Sequence, residues 1–136
     1  MKIVQSALEM LGIVLLRFKL LPRIWAAALI VVNLTSLFFV DTLYGQAALA
    51  AVVSGLIIMV ILYSRSGFTR LLGIGHIFWV PMIYWLITEM PFNDGRPYLT
   101  EWLWCLIAVN SISLVVDATD VTRYLLGESD PHYSWN

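Results

Sequence analysis

Four stretches of mostly apolar residues, each roughly twenty long, constrain this chain more than any other feature. They run from about Ile24 to Leu43 (IWAAALIVVNLTSLFFVDTL), Gln46 to Tyr63 (QAALAAVVSGLIIMVILY), Leu71 to Glu89 (LLGIGHIFWVPMIYWLITE) and Trp102 to Val121 (WLWCLIAVNSISLVVDATDV). A hydrocarbon core about 30 Å thick is crossed by about 20 residues of helix. Backbone polar groups there find no water, so each run must be helical. The connectors are short. Tyr44-Gly45 reads as a tight turn, Ser64 to Arg70 (SRSGFTR) is polar and basic, and Met90 to Thr100 carries two prolines and an Asn-Asp-Gly turn signal. Short connectors make sequential helices antiparallel neighbours.

The composition agrees. Of 136 residues, 60% are hydrophobic and 12% charged, against about 45–50% and about 25% in soluble domains. So few charges cannot cover a soluble globule this small, which excludes a soluble enzyme, a disordered chain and a secreted disulfide scaffold. Cys105 is the sole cysteine, so no intramolecular disulfide forms. The net charge of −1 points to no nucleic-acid partner. The partner implied is the lipid bilayer.

The first 21 residues differ in kind. Lys2, Ser6, Glu9, Ile13 and Arg17 recur at helical spacing and all but Ile13 are polar; Ile3, Ala7, Met10, Leu11, Val14, Leu15, Phe18 and Leu21 lie opposite. This is the pattern of an amphipathic helix lying in the membrane interface, with Pro22 as its boundary. Glu9, Arg17 and Lys19 interrupt the apolar residues too often for a signal peptide, and they argue against a fifth span. The expected fold is therefore an all-α integral membrane protein: an antiparallel four-transmembrane-helix bundle (22–126) behind an N-terminal amphipathic interfacial helix (1–21), with a polar C-terminal tail (127–136). Lys2, Arg17, Lys19, Arg23, Arg65, Arg70 and Arg123 fall on one side and only Arg96 on the other. The excess of basic residues on the inside places both termini in the cytoplasm, in a plasma (inner) membrane of bacterial type. Trp25, Trp102 and Trp104 stand at span ends as interfacial anchors, whereas Trp79 lies deeper and reads as packing.

Polar side chains inside a bilayer are costly and turn inward to find partners. Asn110, Ser113, Asp117, Asp120 and Tyr124 are spaced three, four, three and four apart, which puts them on one face of the fourth span, with Arg123 beside them. His76 enters the third span to about the depth at which Asp117 enters the fourth. The two can pair, either as an interhelical hydrogen bond or as a proton-relay or ligand element. Asn33 and Asn110 lie near mid-span and suit interhelical packing, as do Ser36 and Ser54. Ala47, Ala51, Ser54 and Gly55 form a small-residue seam on the second span. Pro81 should kink the third, freeing a carbonyl near Ile77. Cys105 reads as packing, and His132 as a free side chain in a loose tail.

No zinc set exists, since such a site wants three or four ligands and only one histidine and one or two aspartates are near. No metal and no cofactor is implied. Catalytic motifs are absent. The leading expectation is a non-enzymatic accessory or scaffold subunit that self-associates or joins a larger membrane complex. A small oligomeric channel or transporter, with His76 and the Asn110–Asp120 stripe lining a polar vestibule, is the alternative. A membrane enzyme acting on a lipid or quinone is the third class.

Overall fold

A computed structural model describes residues 2–90 and 95–136. Helix α1 (Lys2–Gly12) passes into a π-helical turn (Ile13–Arg17), and the chain breaks at Phe18 and Lys19. Helix α2 (Leu20–Leu34) tightens into a 3-10 segment (Thr35–Phe39); α3 (Leu43–Ser66) follows. A second 3-10 segment (Arg70–His76) leads into α4 (Trp79–Glu89), and α5 (Leu99–Leu125) is the longest element. Every element among the described residues is helical. Four helical stretches are long and apolar enough to cross a membrane: Leu20–Phe39, Leu43–Ser66, Arg70–Glu89 and Leu99–Leu125. That is the pattern of a multi-pass membrane protein. The Asn-Asp part of the 93–95 turn signal lies outside the described residues.

The breaks fall elsewhere than the prolines suggest. Pro22 and Pro81 each occupy the third position of a helix, α2 and α4. A first-turn residue has no intrahelical partner for its amide, so proline costs nothing there. The boundary expected at Pro22 is at Phe18–Lys19 instead, where Arg23 donates to the Leu16 and Phe18 carbonyls at 3.0 and 2.8 Å. The kink expected at Pro81 is replaced by the 3-10 segment and a turn at Ile77–Phe78, where the Ile77 carbonyl accepts from the Val80 amide at 3.2 Å. Tyr44-Gly45 is not a turn either. The turn falls at Val40–Thr42, and the Thr42 hydroxyl donates to the Phe39 carbonyl (2.7 Å) while accepting from the Gly45 amide (3.1 Å). Gly45 lies so close to the Phe39 carbonyl that any Cβ would collide with it.

A 3-10 turn passes each amide to the carbonyl three residues back. This leaves the Val32 carbonyl open where α2 gives way to the 35–39 segment. The Trp102 indole takes it at 2.8 Å, and the Trp102 ring stacks on Phe39 at 4.8 Å. The main core lies beside these contacts. Leu86, Leu99, Leu103 and Leu106 are fully buried, with Ala48, Ala51, Trp79 and Met82 around them. Nearby, Tyr44 donates to the Glu89 carbonyl at 3.0 Å and stacks on Trp85. The small-residue seam divides. Ala48, Ala51 and Gly55 turn inward, while Ala47, Ala50 and Ser54 line an open apolar groove of about 310 Å³ with Phe78, Met82 and Trp85.

A second core holds α1 against the later part of α3: Met10 and Ile13 pack with Val60, Phe68 and Leu72. The inward face of α1 draws on both sides of the expected pattern: Ser6, Glu9 and Ile13 turn inward beside Ala7, Met10, Val14 and Phe18, while Lys2 and Arg17 stay exposed. Ile13 is fully buried, and Glu9 accepts from the Tyr63 hydroxyl (3.2 Å) and from Gln5 (2.8 Å). Ile3, Val4, Leu8, Leu11 and Leu15 are among the exposed residues. A periodicity weighs residues by type and is blind to a phenol that satisfies a particular carboxylate. The tail is also not loose. Tyr133 packs on Phe18 and Phe68, and His132, though exposed, is not free: its ring meets Phe68 and Tyr133. Cys105, read as packing, is exposed on the surface of α5.

Candidate functional site

The polar stripe on α5 is a row of five side chains, and its members reach different neighbours. Asn110, fully buried, meets Asn33 of α2 in a reciprocal pair: Asn33 Nδ2 donates to Asn110 Oδ1 at 2.8 Å and Asn110 Nδ2 donates back to Asn33 Oδ1 at 3.0 Å. Asn33 also donates to the Leu29 carbonyl at 2.9 Å. Two turns along, Asp117 Oδ2 lies 2.7 Å from His76 Nδ1. An ionised carboxylate only accepts, so with Asp117 charged the imidazole carries its proton on Nδ1. The other face of His76 stacks on the Trp79 ring at 4.0 Å, nearly parallel. The imidazole is therefore fixed by a carboxylate at one nitrogen and by an indole across its plane.

Glycine makes this approach possible. A Cβ on Gly73 would sit 3.0 Å from the Asp117 Cβ, a tight contact that the bare glycine avoids where α5 closes on the 70–76 segment. Gly75 does the same on the opposite side, where its backbone meets Gly55 of α3 and the Met59 side chain. The two glycines immediately precede His76 and carry it between α3 and α5.

The next turn of α5 ends in an ion-pair cluster. Arg70 Nη1 reaches Asp120 Oδ1 at 2.6 Å with both side chains largely buried, and Arg70 Nε lies 3.3 Å from Glu128. Arg123 binds both Glu128 oxygens, at 2.7 and 3.0 Å, in the open. The Arg123 hydrogen bond, assisted by the charges of Arg123 and Arg70, holds the Glu128 carboxyl below its ordinary range. Tyr124 is half-buried and Ser113 buried. At the far end of the molecule Asp41 pairs with Arg96 at 2.9 Å.

Of the sequence-derived candidates, His76, Asn110, Asp117, Asp120 and Arg123 thus each meet a polar partner. Asn33 and Asn110 meet each other. Ser36 is fully buried, and its hydroxyl has no hydrogen-bond partner among the described residues; Ser54 faces the groove instead of a helix partner. Sequence reasoning missed Trp79 as the platform of His76, Trp102 as the cap of the Val32 carbonyl, and Glu9 with Tyr63. The glycines at 73 and 75, two steps apart just before a histidine, were the available signal of close approach. Among the described residues no group of three metal-ligating side chains converges. No protein-family model, curated protein or solved structure matches the chain.

Proposed function

We propose that this chain is a small non-enzymatic membrane protein, an accessory or scaffold subunit that self-associates or joins a larger membrane assembly. The observation that carries the reading is how the polar side chains of its apolar helices are used. Asn33 closes on Asn110, His76 on Asp117, Arg70 on Asp120, and the Trp102 indole on the Val32 carbonyl. Each joins elements distant in sequence and is consumed in doing so. The outward faces are apolar, with Val31, Val53, Ile57, Ile112 and Val115 all exposed. In lipid that division suits a protein whose work is to hold a shape and present surfaces.

The pairs Tyr44–Glu89, Arg70–Asp120 and Asn33–Asn110 support four antiparallel spans in a bundle. The basic residues Lys2, Arg17, Lys19, Arg23, Arg65, Arg70 and Arg123 favour cytoplasmic termini in an inner (plasma) membrane. Interfacial burial of Ile3, Val4, Leu8 and Leu11 suits the exposed face of α1. Extraction into native nanodiscs followed by native mass spectrometry tests the reading. A homo-oligomer, or a stoichiometric complex with a second membrane subunit, is expected. A monomer alone, or reconstituted protein that conducts protons or ions in liposomes, would overturn it. Accessibility tags at both termini and at residues 95–98 should report the termini inside and the loop outside.

A further inference from the structure

The end of the chain returns to the molecule. Gly127, at φ +117°, ends α5 in a conformation that favours glycine. The chain then turns back along the link between α3 and the 70–76 segment. The His132 amide donates to the Phe68 carbonyl at 3.2 Å, and Phe68 and Tyr133 form an isolated antiparallel bridge. The Tyr133 ring packs at 4.6 Å from Phe18 and edge-on at 5.7 Å from Phe68. Beyond it, Arg17 donates to the Trp135 carbonyl at 3.0 Å and lies over the Trp135 ring. That ring covers Gly12, where a Cβ would collide with it. Five residues therefore cross three elements and join the end of α1 to the core.

We propose that residues 131–135 form a pH-gated strap, docked while His132 is neutral and released when it is protonated. The His132 imidazole is set into the strap's contacts, edge-on to Phe68 at 5.7 Å and tilted on Tyr133 at 5.1 Å. Arg70 faces it from the 70–76 segment, and Arg123 and Asp120 from α5, with the Phe68 backbone alongside. Burial and then the Arg70 charge push the imidazole below its ordinary value; Asp120 and the Phe68 backbone pull the other way, and Arg123 adds to the depression. A released tail restores an ordinary imidazole, with a pKa near about 6.5.

The sign follows. Above about pH 6.5 both states are neutral and docking is at full strength. As the pH falls below that value the released tail takes up the proton first, and docking weakens down to the docked pKa. Across that interval the docked-to-released ratio falls by up to about tenfold per pH unit. Glu128 and Asp130 flank His132 on its own segment, and Arg123 holds the Glu128 carboxyl below its ordinary range. The inference rests on the tail's contacts and is independent of the role proposed above.

The test uses the full chain in phosphatidylcholine nanodiscs, with Cys105→Ser and spin labels on Lys2→Cys and Asn136→Cys. Electron–electron distance measurements should give a narrow distribution at pH 8 that broadens to longer distances between pH 7 and 5. His132→Phe keeps an uncharged ring on Phe68 and should stay narrow throughout. Tyr133→Ala should be broad at every pH, with unchanged helix content by circular dichroism confirming that the core is intact. A broad distribution at pH 8 in the parent or in His132→Phe overturns the proposal. So does a parent unchanged down to pH 5, a His132→Phe protein with the parent's pH response, or a Tyr133→Ala protein that stays narrow.

Discussion

Replacing Asn33 with leucine should cost more than the same change at Asn110, although the two residues form one symmetric pair. Asn110 has Asn33 as its only side-chain partner, through two bonds of 2.8 and 3.0 Å, in a fully buried position. Asn33 keeps a third bond, to the Leu29 carbonyl at 2.9 Å. Asn33→Leu therefore strands a whole amide, whereas Asn110→Leu leaves its partner still donating. An unsatisfied buried polar group costs about 1–3 kcal/mol. Interhelical hydrogen bonds within membranes contribute roughly 0.6 kcal/mol each, so the pair couples by about 1.2 kcal/mol. We expect Asn33→Leu to lose about 2–3 kcal/mol and Asn110→Leu about 1–2 kcal/mol. The double leucine variant has no stranded amide and should lie closer to the parent than Asn33→Leu does. Reversible unfolding in mixed micelles, by denaturant or steric trapping, gives all four values. Equal single costs that add in the double variant would refute the reasoning, because additive sites do not touch.

Other expectations follow from the same contacts. His76→Ala and Asp117→Asn should each lower stability in detergent, with the double variant losing less than the sum; strict additivity would break the pairing. Gly55→Ala should destabilise by about 1–3 kcal/mol, because the added Cβ would lie 2.5 Å from the Gly75 carbonyl oxygen. Gly75→Ala should cost less, since its Cβ meets the flexible Met59 side chain; the same unfolding assay ranks the two. Glu128 is held below its ordinary value by Arg123, so its contribution is full above about pH 4.5 and lost as the pH falls through its folded pKa. Glu128→Gln should then flatten the acid dependence of hydrogen exchange at the α5 end between pH 5 and 3. Cys105, exposed on an apolar helix, should react in nanodiscs with a lipid-soluble maleimide but not with a charged one.

The four long apolar helices were legible because an apolar run of bilayer length has one viable backbone solution. Their interruptions were not. Proline announces itself in sequence, but Pro22 and Pro81 sit where a helix does not need their amides. The real breaks follow tertiary contacts: the Trp102 indole that captures the Val32 carbonyl, and the paired glycines that draw 70–76 between α3 and α5. The same limit explains α1. Helical spacing alone does not set its rotation, which follows Tyr63 donating to Glu9 and Ile13 entering a second core. The tail hid its docking because its adhesive residues are two aromatics within a polar segment, and their receptors, Gly12, Arg17, Phe18 and Phe68, lie far away in sequence.

The stripe on α5 shows how far a helical spacing reaches. Residues spaced three and four apart share a face, so Asn110, Asp117 and Asp120 could be grouped from sequence alone. A shared face does not mean a shared partner. At about 1.5 Å per residue, Asn110 and Asp120 are some 15 Å apart along the axis, which exceeds the 8–10 Å spacing of packed helices. One face that long can serve two neighbours in turn. Asn110 closes on α2, and Asp117 and Asp120 close on the 70–76 segment. The vestibule reading treats the stripe as one wall of a common space, whereas the structure divides it into separate clamps on different elements. Severing the Asn110 clamp and severing the Asp117 clamp should therefore loosen different parts of the molecule. Hydrogen exchange would then rise in α2 in the first case and in 70–76 in the second.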